Sequence, residues 1–361
     1  MDYYLHDDPH MPLAWAPWFS HEYIAYFAVK AANEVMSLSQ VPVKSKMDFN
    51  YKQWPVGAKH VDLYKESYQE LRHLDLLRSF DYKKRNGDYS HHVPTGKTIE
   101  PWKIFVIYST EPDLYPDYDL NLHKNQKITG GSHGWRHMHF KILGTTYGIA
   151  PQSFCIHRNL AKLSFENGND YWGWRYLSRA GHYLADLGHP FHVKALPGSF
   201  LIKKYFARHD LFKIVSAIHQ SYEIYVERKF REGFSLFGNA LLEGALEGQK
   251  ETVSTDARLQ QYIKKARQKH NFIFYHVYEK FGAELLDVFA QMDQNSKQDA
   301  AAQTNRCSAD AAGILFNKAN LPKLDPLDRI TGDILFDVGK MLGALLKEFA
   351  NDTPSIHSLK N

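Results

Sequence analysis

Apolar side chains recur at helical spacing along most of the chain, and the first clear case follows Ser20. The segment HEYIAYFAVKAANEVMS, residues 21–37, carries apolar residues three and four positions apart, which form one stripe of a helix. The stripe consists of Ile24, Phe27, Ala28, Ala31 and Val35. Ser20 belongs to the residue types that cap helix N-termini. The pattern therefore predicts a helix with His21 in its first turn.

The same spacing predicts further helices, separated by polar segments. They are expected at 57–80, from about 157, and at 170–187, 202–231, 256–292 and 330–350. From Lys83 to Gly134 the pattern is interrupted by Gly, Pro, Asp and His and leaves one short apolar run at 103–109, so we predict mainly loops there. The segment YWGWRYL at 171–177 is typical of core packing. We predict an all-α protein.

The composition is that of a globular protein with a substantial hydrophobic core. Of the 361 residues, 44% are hydrophobic and 14% are aromatic. The net charge of +4 mildly favours anionic substrates, but it is well below that of a nucleic-acid scaffold. Because the chain has two cysteines, it cannot rely on a disulfide framework.

Neither a membrane span nor a standard export signal is visible in the sequence. A transmembrane helix needs about 18 or more consecutive apolar residues, and the chain has no such run. The N-terminal residues MDYYLHDDPH carry acids where a secretory signal has a basic start and a long apolar stretch. We therefore expect a cytoplasmic protein, or one exported by a specialised secretion route.

Histidine is the residue type that points to chemistry. The chain has 20 histidines, many of them between His123 and His219, and histidine is the commonest metal ligand in proteins. In the segment HYLADLGHPFH, residues 182–192, His182 and Asp186 are four positions apart and so lie on one face of a helix. Gly and Pro then stop the helix, so that His192 can return to the same place.

A second helix repeats this spacing. In HQSYE, residues 219–223, His219 and Glu223 are again four positions apart and supply the nitrogen and oxygen donors that zinc takes in catalytic sites. A carboxylate such as Asp186 can bridge two metal ions about 3.5–4 Å apart, a spacing that suits phosphate ester hydrolysis. These residues predict a metal site built from two helices and one turn.

HYLADLGHPFH followed by HQSYE resembles the signature of the zinc-dependent phospholipase C and single-strand nuclease superfamily. That signature is HYLGD, a Pro-containing turn that ends in His, and then HxxxE. The resemblance implies a multi-helix bundle with a metal cluster in a cleft, a catalytic core over 15–250, and C-terminal helices over 251–361 packed on the same domain. It also implies that Asp186 bridges two zinc ions with His182 nearby, and that His192, His219 and Glu223 hold a third.

The other ligands implied by the resemblance come from the first helix and a long loop. The first helix supplies His21, and the segments EPDLYPDYD and GGSHGWRHMHF look like the family's ligand-bearing loop. Asp113 is the matching acid there, and it is also the candidate for orienting or deprotonating the attacking water. Its competitors are predicted to be solvated loop residues: Glu111, Asp117 and Asp119. The matching histidine is His137, with His139 and His133 as alternatives, and WRHM resembles bacterial phospholipases C.

One departure from the family pattern concerns the N-terminus. Family members are cleaved to an N-terminal Trp whose amino and carbonyl groups bind one zinc. Here Trp15 and Trp18 lie near His21, but no signal peptide predicts that either becomes N-terminal. We therefore expect two to three zinc ions. The remaining histidines, including His189, are predicted to be surface residues or to orient a ligand.

By resemblance, the predicted function is that of a zinc-dependent phospholipase C. It would hydrolyse phosphatidylcholine or related phospholipids, at a membrane or micelle surface, to diacylglycerol and a phosphorylated headgroup, with no stable nucleic-acid partner. Aromatic residues in the loops could form an entrance for such a substrate: Tyr108, Tyr115, Tyr118, Trp135 and Phe140. Two alternatives stay open, a single-strand-specific zinc nuclease and a zinc-stabilised, non-catalytic helical protein.

Overall fold

The computed structural model describes residues 20–43, 97–114, 122–129, 131–200, 211–231, 233–294 and 325–352, and these are mostly helical. The helices are α1 (Ser20–Ala31), α2 (Asn33–Met36), α3 (Pro101–Ile107), α4 (Ser132–His137), α5 (Ala150–Glu166), α6 (Asp170–Gly188), α7 (Pro190–Val193), α8 (Leu211–Arg231), α9 (Ser235–Gln249), α10 (Thr255–Gln294) and α11 (Asp325–Asp352). Two 3-10 segments lie at Tyr108–Leu114 and Gln126–Thr129. The predicted all-α class is confirmed.

The strands are short and form two antiparallel pairs. β1 (Val41–Pro42) pairs with β2 (Thr98–Ile99), with Val41 opposite Ile99. β3 (Phe140–Ile142) and β4 (Thr145–Tyr147) form a hairpin, with Phe140 opposite Tyr147. Neither pair provides a sheet large enough to organise the core, which is built from helices.

Helix α6 is the centre of the core. It packs against α1, α3, α5, α10 and α11, and its residues from Tyr171 to Gly188 are buried. The side chains of Trp172, Trp174 and Tyr176 are at most 1% exposed, so the prediction that YWGWRYL packs in the core is confirmed. A helix buried all round holds whatever side chains it carries in fixed positions.

Two parts of the chain differ from the sequence-based prediction. The described part of the region from Lys83 to Gly134 contains α3 and both 3-10 segments where loops were expected. Helix α3 forms because Pro101 starts a short helix whose apolar run is buried. Helix α9 was not predicted, since its glycines weaken the helical signal. The helix expected at 57–80 lies outside the described residues.

Glycines on α9 and α11 allow the backbones of these two helices to touch. A Cβ added at Gly244 would lie 2.1 Å from the carbonyl oxygen of Phe336, and one at Gly248 would lie 2.2 Å from that of Lys340. From the other side, a Cβ at Gly339 would lie 2.2 Å from the carbonyl oxygen of Leu241. The glycines that weaken the helical pattern of α9 in the sequence are therefore required for its packing against α11.

We predict that Gly244→Ala destabilises the protein by about 1–3 kcal/mol, because the methyl group has to push two helix backbones apart. The control is Gly332→Ala on α11, where the nearest atom to an added Cβ is 3.6 Å away, so the methyl group fits. This control should be neutral or stabilising by up to about 1 kcal/mol, since alanine favours the helix. Urea unfolding of both variants measures the difference, and equal stabilities would contradict close backbone packing.

Among the described residues, every helix is either too short or too polar to cross a lipid bilayer.

Candidate metal centre

The structure brings together all eight residues that the sequence predicts as metal ligands. They come from five helices and one 3-10 segment, and each is at most 8% exposed: His21, Asp113, His137, His182, Asp186, His192, His219 and Glu223. Their donor atoms fall into neighbouring groups, each within 4.8 Å, that could hold a metal ion. Trp15 and Trp18 lie outside the described residues.

The carboxylate of Asp186 lies at the centre of the first group. Its Oδ2 atom is 2.8 Å from His137 Nδ1 and 3.3 Å from His182 Nε2. Its Oδ1 atom is 3.1 Å from His192 Nδ1 and 3.6 Å from His21 Nε2. One carboxylate therefore contacts four imidazoles, two on each oxygen.

Asp113 faces Asp186 from the 3-10 segment that follows α3. Its Oδ1 atom is 3.6 Å from both His137 Nδ1 and His182 Nε2, and its Oδ2 atom is 4.0 Å from His21 Nε2. Of the three histidines considered for the loop position, His137 lies in the site. His139 is in none of the donor groups found among the described residues, and the side chain of His133 is outside the description.

The second group is centred on Glu223 of α8. Its Oε1 atom is 2.7 Å from His219 Nε2, 3.4 Å from His192 Nε2 and 3.8 Å from His189 Nε2. His189 was not among the predicted ligands, although it stands three positions before His192 in the same turn, a spacing that brings side chains together.

The turn between α6 and α7 places His189 and His192 against α6. The His189 amide donates to the carbonyl of Asp186 (2.9 Å), and the His192 amide donates to that of His189 (3.1 Å). The turn begins at Gly188, where a Cβ would lie 2.1 Å from the hydroxyl oxygen of Tyr262. That hydroxyl donates to the carbonyl of Leu184 (3.0 Å), and so the end of α6 is held against α10.

Backbone carbonyls fix two of the imidazoles. The Nδ1–H of His182 donates to the carbonyl of Ser109 (2.7 Å), and the Nδ1–H of His192 donates to that of His137 (3.1 Å). His182 then presents Nε2 to Asp186, and His192 presents Nε2 to Glu223 while its Nδ1 also lies 3.1 Å from Asp186 Oδ1. Metal-binding histidines characteristically donate their other N–H in this way, so the donor set and its orientation fit a divalent transition metal.

Burial and mutual charge shift the pKa values of these groups in opposite directions. Burial raises the pKa of Asp113 to about 7. Burial also opposes ionisation of Asp186, but the imidazoles around it, first His192 and then His182, outweigh burial and hold the Asp186 pKa well below its ordinary value. Burial lowers the pKa of His192, whereas Asp186 and Glu223 outweigh it and raise the pKa to about 10. A bound cation would compete with these protons, so metal binding is expected to release protons.

Glu111 is buried, so the prediction of a solvated loop residue is wrong. It is 2% exposed and accepts hydrogen bonds from Arg175 Nε (3.0 Å) and Arg179 Nε (2.8 Å) of α6. Burial raises the pKa of Glu111, but the two guanidinium groups outweigh burial and hold it well below its ordinary value. The ion pairs join the segment that carries Asp113 to the helix that carries Asp186.

Three of the aromatic residues considered for a substrate entrance lie in the interior. Tyr108, Trp135 and Phe140 are 7%, 5% and 4% exposed. The hydroxyl of Tyr108 lies 2.5 Å from that of Tyr171, and the guanidinium of Arg175 stacks over the Tyr108 ring. These three side chains are part of the interior, while Tyr115 and Tyr118 lie outside the described residues.

A cavity of about 50 Å³ borders both donor groups. Five of its lining residues belong to the donor groups, namely His21, Asp186, His189, His192 and Glu223. Its other side is mainly apolar and is formed by residues of α1, α8 and α11.

Comparisons of the chain with protein-family models, with curated proteins and with solved structures find no match.

His270 of α10 is fully buried and packs against Phe191 of α7. Burial lowers the pKa of His270 to about 4. Between pH 6.5 and pH 4 the unfolded chain binds a proton at this position that the folded protein does not, so folding becomes less favourable as the pH falls through this window.

We predict that His270→Leu removes this loss of stability. The free energy of unfolding of the variant should rise relative to the original chain by about 3 kcal/mol between pH 7 and pH 4. Urea unfolding at each pH measures this difference, and a difference that is constant across the range would contradict the neutral, buried state of His270.

Proposed function

We propose that this chain is a metal-dependent phosphodiester hydrolase of the zinc-dependent phospholipase C type. The observation that carries the proposal is the position of Asp186, a buried carboxylate that contacts imidazoles with each of its two oxygens. A carboxylate shared in this way suits a pair of metal ions, which is the arrangement used in hydrolysis of phosphate esters.

His21, Asp113, His137, His182 and Asp186 would hold the paired ions, and His192, His219 and Glu223 a further one. Bound zinc supplies a Lewis acid and lowers the pKa of water to about 7. Asp113 is the residue that we assign to orienting the attacking water, because its carboxylate faces Asp186 across the imidazoles of His137 and His182.

We assign a phospholipid as the substrate because the motifs WRHM and HPFH resemble those of bacterial phospholipases C.

The experiment compares two substrates on the purified chain loaded with zinc. We expect phosphatidylcholine in mixed micelles to yield diacylglycerol and phosphocholine, with loss of activity on chelation and recovery on adding zinc. Cleavage of single-stranded DNA without cleavage of lipid would replace our substrate by that of a nuclease. Tight zinc binding without hydrolysis of either substrate would favour a zinc-stabilised, non-catalytic protein.

A further inference from the structure

His189 occupies a position from which it can reach the second donor group. It is the residue that joins α6 to α7, and its ring packs among His192, His219 and Tyr222, with ring centroids 4.6, 5.1 and 5.3 Å away. Its Nε2 atom is 3.8 Å from Glu223 Oε1. The turn thus directs two imidazoles, those of His189 and His192, toward one carboxylate.

The four donors have the spacing of a four-coordinate site. Zinc binds nitrogen and oxygen at about 2.0–2.2 Å, so tetrahedral ligand atoms lie roughly 3.3–3.6 Å from one another. The nitrogens of His219, His192 and His189 lie 2.7, 3.4 and 3.8 Å from Glu223 Oε1, and one donor atom from each residue falls within 4.8 Å of all the others. The distances to Glu223 Oε1 bracket the spacing that a tetrahedral site requires.

The polar atoms of His189 provide a second, independent indication. Within the described residues neither ring nitrogen of His189 makes a hydrogen bond, although both nitrogens are buried. A buried polar group without a hydrogen bond costs about 1–3 kcal/mol. A cation held at Nε2 would satisfy the imidazole at the position where Glu223 already supplies negative charge.

We propose that His189 is a fourth protein ligand and that His189, His192, His219 and Glu223 together enclose one divalent metal ion in a closed site. The proposal rests on the proposed metal centre. Structural zinc sites have four protein ligands, whereas catalytic sites keep a position open for water or substrate. The ion held by this group would therefore fix α6, α7 and α8 together, and hydrolysis would belong to the group around Asp113 and Asp186.

The test compares near-isosteric replacements at one position. His189→Gln removes the donor, and His189→Glu replaces it with a carboxylate of similar reach that can bind zinc. His219→Gln marks the effect of losing an assigned ligand. His276→Gln, at a half-buried ring stacked on Phe272 in α10, is the matched control. Zinc per chain after dialysis, zinc affinity by chelator competition, and the visible spectrum of the cobalt-loaded protein are measured for the full chain.

We expect His189→Gln to lower the affinity for one zinc ion by more than about 100-fold. This exceeds the loss of about 10- to 100-fold that is typical of residues that only orient a ligand. The intense cobalt bands of a tetrahedral site should weaken with it, as in His219→Gln, while His189→Glu keeps the ion and His276→Gln changes nothing. A weaker affinity with an unchanged cobalt spectrum would make His189 a positioning residue and overturn the proposal.

Other outcomes separate this inference from the proposed function. Unchanged zinc content and spectrum in His189→Gln would reject the fourth ligand and leave the metal centre standing. A chain that binds no zinc before any substitution would reject both.

Discussion

Asp186→Asn is expected to abolish hydrolysis and to release metal from the group around Asp186. The substitution keeps the shape of the side chain but removes the negative charge that four imidazoles face, at distances between 2.8 and 3.6 Å. Because even residues that only orient a ligand change metal affinity or activity by about 10- to 100-fold, we expect a loss of more than about 100-fold here. Zinc content and phosphatidylcholine hydrolysis, measured on the same preparation, test this.

The matched control is Asp256→Asn at the start of α10. The Asp256 carboxylate is 47% exposed and pairs with Arg158 at 2.9 Å, and exposed ion pairs contribute little to stability. This variant should keep both zinc and activity. If Asp186→Asn also kept its zinc and its activity, the shared carboxylate would have no role in binding metal. The proposed function would then lose its main support.

Glu111→Gln is expected to cause the largest loss of stability. The substitution leaves the guanidinium groups of Arg175 and Arg179, 7% and 2% exposed, without the carboxylate that both contact. Breaking a buried ion pair by removing one partner costs about 3–5 kcal/mol, because the other charge stays buried. The free energy of unfolding in urea gives the value directly.

Two further variants isolate the cause of that loss. Glu247→Gln removes an exposed partner of Lys250 and should leave stability unchanged. A triple variant with Glu111→Leu, Arg175→Met and Arg179→Met removes all three charges and should recover part of the stability, since apolar side chains of similar size often replace buried ion pairs without loss. A stable Glu111→Gln variant would show that water reaches the guanidinium groups.

The site was predictable where local spacing fixes geometry. The four-residue spacing of His182 with Asp186, and of His219 with Glu223, places both members on one helix face whatever the rest of the fold does. Positions joined by long stretches of chain, such as His21, Asp113 and His137, needed the resemblance, because spacing alone does not bring separate segments together. The structure places these residues at the same site.

Other features could not be read from one sequence because they depend on which residues meet across the core. Glu111 stands among other acids in a loop-like segment, and its burial follows from two arginines 64 and 68 positions later. His189 looks like one more residue of a Pro-containing turn. Helix α9 has glycines that disfavour a helix locally but are needed for contact with α11.

One face of α6 carries Arg175, Arg179, His182 and Asp186. This arrangement limits which insertions and deletions the sequence can accept in evolution. Each residue added to or removed from a helix rotates everything beyond it by about 100°. A one-residue insertion or deletion between Arg179 and His182 would therefore turn His182 and Asp186 together away from His21, Asp113 and His137, while Arg179 stayed on Glu111. Substitutions in this helix can be compensated by neighbouring side chains, but a change in the number of its residues cannot, so its length is as much a part of the site as its donors.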